Sequence, residues 1–305
     1  MSTYDAGQVL LNEACVFLKP HADNDACELL LRSMLEAAGA TIVSTHRIVG
    51  DDINKKRLID LHYGSLAEAA MVIHPESLVV GAEKEAAFEE MFGIAWNKAR
   101  KICNPVAMTE LGVDGLELEK RWRAGSCLKL APGTYIAKLV GTLDAEPIFT
   151  VNGFYPAMRQ EFVQKDAAVR VFDIAWPPSI MSWAHFRDVL IGPTDPTKAD
   201  PKTSIRGAFR EKWQELGLAK EPLISCNCVH ASAGPLEGLK EREIWLGETV
   251  CNGSFRQRIA AKVTDATLST WLDKNPIVEL KTGEKAQKIF DATEGIDAQD
   301  LLALL

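Results

Sequence analysis

The feature that most constrains the fold is a set of four short runs rich in apolar and β-branched residues. These runs are ACVFL (14–18), TIVSTHRIV (41–49), AAVRVFDIAW (167–176) and ISCNCVHAS (224–232). Runs of this length and composition are typical of β-strands. The first run stops at Lys19-Pro20, where proline cannot donate to a sheet ladder. The sequence therefore predicts four strands, with other elements between them.

Helical spacing of apolar residues occupies much of the intervening sequence. In DNDACELLLRSMLEAAGA (23–40) the apolar residues recur three or four apart, and Gly39 is placed to end a helix. Between about 65 and 150 a second pattern appears, in which Phe88, Phe92 and Trp96 share one stripe of a predicted helix over 82–102. This stripe is most simply the core of a small subdomain. The alternative is a lid or a partner-binding module.

Composition excludes some classes of function. The chain has 305 residues and a formal charge of −8, so no general positive field attracts nucleic acid or membrane surfaces. No run of eighteen apolar residues predicts a membrane span, and the N-terminus lacks the pattern of a secretory signal. The seven cysteines are odd in number and scattered, which is typical of reduced thiols. We therefore expect a cytoplasmic protein.

The stretch SCNCVHASAG (225–234) concentrates reactive residue types. In a regular strand Cys226, Cys228 and His230 would share one face. They could form a metal site, carry a nucleophile or simply pack. The spacing C-x-C-x-H differs from the usual zinc motifs, and no second Cys/His pair is evident, so packing thiols are the simpler interpretation.

The two familiar glycine-rich phosphate loops are absent from the sequence. Phosphoryl chemistry without them needs separate cations and hydroxyls, together with an acceptor for the group. Side chains of these types lie at predicted element ends: Lys19, Tyr63, Arg187, Thr194 and Arg206. A histidine acceptor, here His230, needs one ring nitrogen held by a hydrogen-bond acceptor, and Glu243 on the following helix is a candidate.

Several motifs, in this order, resemble those of nucleoside diphosphate kinases. They are FLKPHA (17–22), LHYG (61–64), FYPAMRQEF (154–162), LIGPTDPTKADPKTSIRGAF (190–209) and NCVHASAGPLEGLKEREIWL (227–246). The most diagnostic are N-x-x-H-x-S followed by E-x-E-I. The resemblance covers about 8–65 and 150–247, which predicts a discontinuous kinase-like domain. It leaves an inserted subdomain at 66–149 and a C-terminal extension at 248–305.

The resemblance implies an α+β fold, a ferredoxin-like sandwich around a four-stranded antiparallel sheet. The insertion is expected to be mostly helical. The implied reaction is a ping-pong transfer of the terminal phosphoryl of a nucleoside triphosphate to a nucleoside diphosphate through phosphohistidine at His230. Expected ligands are ATP, GTP, ADP, GDP and related nucleotides, with Mg²⁺ bridging their phosphates. The resemblance also implies a homo-oligomer.

The same resemblance implies roles for individual residues. Lys19 would contact ribose and phosphate, and Asn227 would contact the ribose 3′ hydroxyl. The catalytic tyrosine of the family falls on Tyr63. Ser232 and Glu243 would position the imidazole. The remaining roles are phosphate binding by Arg187, Thr194 and Arg206 and base stacking by Phe154 and Ile224. Stacking tolerates any base, so broad base specificity is expected.

The sequence departs from the family pattern at the site. His21 replaces an aspartate, and Ala231 replaces a glycine after the active histidine. Arg187 lies one residue too far from Thr194, so either a local bulge compensates or the assignment of this arginine to the phosphate site is wrong. Glu243 lies two residues too far from His230, which a loop insertion at Gly234-Pro235 would absorb. A non-catalytic nucleotide-binding scaffold or regulatory protein, and a metal-site protein, therefore remain alternatives.

Overall fold

The computed structural model describes residues 9–131, 133–142, 146–247, 253–280 and 286–305. Residue 8 and parts of the predicted insertion and C-terminal extension lie outside the described residues. The chain divides into two compact units, Met1–Val49 with Asp166–Leu305, and Gly50–Lys165. The second unit is longer than the predicted insertion, because it takes in sequence on both sides of 66–149.

The strands are β1 Asn12–Leu18, β2 Thr41–Val49, β3 Arg100–Lys101, β4 Cys127–Ala131, β5 Thr134–Lys138, β6 Ile148–Val151, β7 Ala168–Trp176, β8 Val229–Ala231, β9 Ile277–Val278 and β10 Gln287–Lys288. The helices are α1 Asp25–Ala37, α2 Gly50–Lys55, α3 Leu58–Tyr63, α4 Ser65–Met71, α5 Ala82–Phe92, α6 Asn104–Leu111, α7 Gly115–Ala124, α8 Tyr155–Val163, α9 Trp183–His185, α10 Ile205–Glu211, α11 Pro235–Leu246, α12 Ser254–Val263, α13 Asp265–Lys274, α14 Ile289–Thr293 and α15 Ala298–Leu304.

The first unit contains the predicted sheet. Its order is β2-β7-β1-β8, and all neighbours are antiparallel. Counted along this unit, the strands stand in the order second, third, first, fourth, which is the ferredoxin-like arrangement. The fold class expected from the sequence is confirmed. The central strand β1 pairs with both neighbours, and its register sets Phe17 opposite His230 on β8.

Helix α11 packs closely against β1 in the first unit. The sheet and its helices enclose an aromatic core in which Trp176, Trp183 and Phe186 are fully buried. Gly238 on α11 lies over β1, and a Cβ there would come within 2.6 Å of the Glu13 carbonyl oxygen. Only glycine permits this close approach. The next turn of α11 is thereby held beside β8.

The C-terminal extension packs as part of the first unit. Helices α12, α13 and α15 bury apolar residues against α11, with Ile259, Leu268 and Leu301 fully buried. Asn12, which is also fully buried, donates its side-chain amide to Asp297 at 2.8 Å. Among the described residues, no helix has both the length and the apolar character needed to cross a bilayer.

The second unit combines helices α2–α8 with a sheet of order β3-β6-β5-β4. The sheet was not predicted, because its strands are short and two of them have only two and four residues. Helix α5 ends at Phe92, where Gly93 adopts a left-handed conformation with φ 69°, so the predicted helix over 82–102 was too long. Phe88 still meets Trp96 and Phe149 in one apolar cluster.

Candidate active site

The strand that carries His230 is shorter than predicted. Strand β8 covers Val229–Ala231 only, Ile224–Cys226 forms a 3₁₀ turn, and Cys228 has a φ of 65°. The cysteines therefore do not share a regular strand face with His230. Burial raises the pKa of the Cys228 thiol to about 12. Buried thiols that stay protonated pack as small apolar groups, in agreement with the packing interpretation of the cysteines.

A carboxylate holds the imidazole of His230. Oε1 of Glu241 lies 2.7 Å from His230 Nε2, and the Ser232 hydroxyl donates to the other carboxylate oxygen at 2.6 Å. The ring also stacks on Phe17, with 4.6 Å between ring centroids. With Nε2 donating to the carboxylate, the neutral imidazole carries its lone pair on Nδ1. This is the tautomer that a nucleophilic histidine requires.

The partner of His230 is Glu241, and the prediction that Glu243 fills this place is wrong. Glu243 instead accepts from Arg256 on α12. Two positions along a helix amount to a rotation of about 200°, so Glu241 and Glu243 point to different neighbours. No loop insertion at Gly234-Pro235 is needed, because α11 begins at Pro235. The motif offers two acids, and the shorter spacing from His230 would have identified Glu241.

A cavity of about 280 Å³ opens beside His230. It brings together most of the polar residues that the sequence nominated, along with one acid from the C-terminal extension that it did not: Lys19, Arg187, Thr194, Arg206, Asn227, His230, Ser232 and Glu294. Lys19 Nζ donates to Asn227 Oδ1 at 2.7 Å, and the Asn227 amide donates to the Thr194 carbonyl at 3.0 Å. These bonds link the loops that form the cavity wall.

Two arginines give the cavity its positive character. The guanidinium of Arg206 donates to the carbonyls of Gly192 at 2.8 Å and Val229 at 3.1 Å. Burial, aided by the neighbouring charge of Arg187, lowers the pKa of Arg206 to about 10. Arg206 remains a cation at neutral pH in a place that disfavours positive charge. An anion bound in the cavity would relieve that penalty.

The irregular spacing of Arg187 has a local cause. Residues Phe186–Ile191 form a π-helix, and the Gly192 amide donates to the Arg187 carbonyl five residues earlier, at 3.2 Å. A π-turn takes up one extra residue. Of the two explanations that the sequence left open, the local bulge is the one present, and Arg187 lines the cavity. Its guanidinium forms an ion pair with Glu294.

Three other nominated residues are placed differently. Tyr63 and Phe154 belong to the second unit, where Tyr63 ends α3 and Phe154 precedes α8. The Phe154 ring meets Trp122 edge-on, with centroids 5.6 Å apart. Ile224 begins the turn before β8, with 62% of its surface exposed, and it is not among the residues that line the cavity.

Comparison with known proteins gives only distant structural likeness. No family model and no curated protein matches the chain. Similar solved structures include the nucleoside diphosphate (NDP) kinase of Pyrobaculum aerophilum, at 19% identity and a TM-score of 0.39, covering 77% of this chain and 96% of that one. The enzyme of Encephalitozoon cuniculi gives 13% and 0.38, covering 80% and 94%. That of Borrelia burgdorferi, solved as a transition state mimic with vanadate and ADP, gives 15% and 0.36, covering 77% and 87%. Values this low assign no family and no activity to the chain.

Proposed function

We propose that the chain is a nucleoside diphosphate kinase that works through a phosphohistidine at His230. One observation carries the proposal. His230 borders a cavity with cationic walls, and its Nε2 is held by the buried carboxylate of Glu241. A neutral imidazole fixed in this way is a nucleophile beside an anion site.

In the proposed first half-reaction, the lone pair of His230 Nδ1 attacks the terminal phosphorus of a nucleoside triphosphate. The N–P bond forms as the bond from phosphorus to the bridging oxygen breaks, and the nucleoside diphosphate leaves with that electron pair. The Nε2 proton stays in its hydrogen bond to Glu241, whose negative charge stabilises the phosphorylated ring. A second diphosphate then reverses these steps.

The cavity residues supply the charge balance. Lys19, Arg187 and Arg206 can neutralise the phosphate chain, whose Mg²⁺ enters as part of the substrate. In this proposal Asn227, held by Lys19, binds the ribose hydroxyl. Base stacking by Phe154 and Ile224, contact through Tyr63, a cytoplasmic location and homo-oligomer assembly stay predictions from the sequence.

Intact-mass measurement after incubation with ATP and Mg²⁺ tests the proposal. We expect one acid-labile phosphoryl group on the wild-type chain, which GDP or CDP then removes. His230→Ala should carry none. His46→Ala is the matched control, because His46 is an exposed residue of the same unit on β2. An adduct that persists in His230→Ala, or bound nucleotide without any adduct in the wild type, would contradict the kinase and favour the nucleotide-binding scaffold.

A further inference from the structure

The cavity contains a carboxylate that opposes its positive charge. Glu294 follows helix α14 in the C-terminal extension, lines the cavity with His230, and pairs with Arg187. The motifs that resemble a kinase end near residue 247, so this acid comes from a part of the chain that the resemblance does not cover. Its position is therefore a feature of this chain's own extension.

The segment around Glu294 is fixed against the loop that follows His230. The Gly295 amide donates to the Ala233 carbonyl at 2.9 Å. Gly234 allows close contact there, because a Cβ would lie 2.5 Å from the Thr293 carbonyl oxygen. On the other side, three residues after Glu294, the carboxylate of Asp297 accepts a hydrogen bond from the backbone amide of Trp183 at 2.7 Å. Backbone contacts on both sides thus hold Glu294 at the cavity.

Solvent and dissolved ligands can reach the ion pair between Arg187 and Glu294. About 42% of the Arg187 side chain and 36% of the Glu294 side chain are exposed. A second carboxylate is also near this guanidinium, because Oδ1 of Asp188 lies 3.7 Å from Nη1 of Arg187. A half-exposed pair of this kind is weak, because solvent and salt screen the attraction between its charges. A more highly charged anion can therefore replace Glu294 on Arg187.

We propose that Glu294 competes with phosphate groups for Arg187, so that the C-terminal extension lowers the affinity of the cavity for di- and triphosphates. An empty cavity keeps Arg187 paired, and a ligand engages it only by displacing the carboxylate. The inference rests on the phosphate-binding part of the proposed function. It does not require transfer to His230.

Calorimetric titration with inorganic pyrophosphate tests the inference on the full chain. Glu294→Gln keeps the side-chain shape and removes the charge, and we expect it to bind pyrophosphate roughly three- to ten-fold more tightly. Asp273→Asn on α13 is the matched control, since it removes one negative charge from an exposed ion pair with Lys240 on α11. It should bind as the wild type does. Unchanged or weaker binding by Glu294→Gln, with an unchanged melting temperature, would overturn the inference.

A double-mutant cycle with Arg187→Ala tests whether Glu294 acts on pyrophosphate binding through Arg187. If Glu294 acts by competing for Arg187, Glu294→Gln should tighten binding less in the Arg187→Ala background than in the wild type. If Glu294→Gln raises the affinity for pyrophosphate equally with and without Arg187, Glu294 acts by repelling the anion and not by competing for Arg187. That result would overturn the proposal. Tighter binding by Glu294→Gln without phosphohistidine in the wild type would retain this inference and reject the kinase. If neither form binds pyrophosphate, the inference fails.

Discussion

The two units use polar side chains in different ways. In the second unit, Asn104 is fully buried and its amide donates to the carbonyls of Ala70 and Val151, both at 2.8 Å. The amide therefore bridges backbone from two elements of its own unit. In the first unit, by contrast, Lys19 and Arg206 reach the wall of a cavity, where a ligand can meet them.

The same contrast holds for ionisable groups. In the second unit the Tyr155 hydroxyl donates to Asp60 at 2.7 Å, and Arg159 Nε donates to the same carboxylate at 2.9 Å. Burial, and then this hydrogen bond, raise the pKa of Tyr155 above its usual range. In the first unit the comparable carboxylate, Glu241, bonds to an imidazole at the cavity. A charge enclosed by its own unit serves the fold, whereas a charge held at a cavity is available for chemistry.

The sharpest test of this contrast is Glu241→Gln. We expect phosphoryl transfer to fall about 100-fold, because the amide still accepts from His230 but no longer offsets the charge of the reacting ring. Glu243→Gln is the matched control on the same helix and should have little effect. Rates of GDP phosphorylation by each variant measure the difference. If Glu241→Gln and Glu243→Gln lose the same amount of activity, Glu243 would also act on His230, and the assignment of Glu241 alone as its partner would be wrong.

Asn104→Ala tests the structural side of the comparison. The substitution leaves two carbonyls without their donor, so we expect it to destabilise the protein by about 2–3 kcal/mol. Denaturant unfolding measures the loss. The exposed Asn97→Ala in the same unit should change stability by less than about 0.5 kcal/mol. Phosphohistidine formation per folded molecule should be unchanged in Asn104→Ala. If folded Asn104→Ala no longer forms phosphohistidine, the second unit contributes to the reaction as well as to stability.

Cys228→Ser tests whether the buried Cys228 thiol contributes to stability or to phosphoryl transfer. The thiol is fully buried, so a hydroxyl there should cost about 1–2 kcal/mol. Phosphoryl transfer by the folded variant should persist. Cys127→Ser, at an exposed cysteine, is the control. Stoichiometric zinc in the wild type, together with loss of phosphohistidine in Cys228→Ser, would restore the metal-site interpretation.

The sequence allowed the first unit to be predicted well, because its signals are local. Apolar runs identified β1, β2 and β7, and the ordered motifs nominated residues that the fold brings to one cavity. The last strand was predicted too long, since nothing in the run ISCNCVHAS reveals that Cys228 takes a left-handed conformation. Such a conformation in a residue other than glycine is set by tertiary packing.

Other features depend on contacts between distant parts of the chain. The sheet of the second unit was missed, because strands such as Arg100–Lys101 are too short to give a periodic signal. Glu294 was missed because it lies about fifty residues beyond the last motif, and only packing of the extension brings it to Arg187. The one-residue excess before Thr194 left a bulge and a misplaced arginine as alternatives, and the π-helix at Arg187 decides for the bulge.

The smallest expected effect concerns Glu237, which precedes Glu241 by one turn of α11 and accepts from the Ala233 amide at 3.2 Å. Burial, together with the negative charges of Glu241 and Glu294, raises its pKa well above the usual range. The folded state therefore keeps a proton that the unfolded state releases at about pH 4.3. Between that pH and the raised pKa, this group makes the free energy of unfolding fall as pH rises. Glu237→Gln mimics the protonated acid, so it should flatten this fall, while the exposed Glu215→Gln should leave it unchanged. Denaturant unfolding of the wild type and the two variants from pH 5 to pH 8 measures how the free energy of unfolding changes with pH.

The contradicting outcome is a free energy of unfolding that falls with pH as steeply in Glu237→Gln as in the wild type. Glu237 would then be ionised near neutral pH, and the acidic cluster beside His230 would carry one more negative charge than proposed.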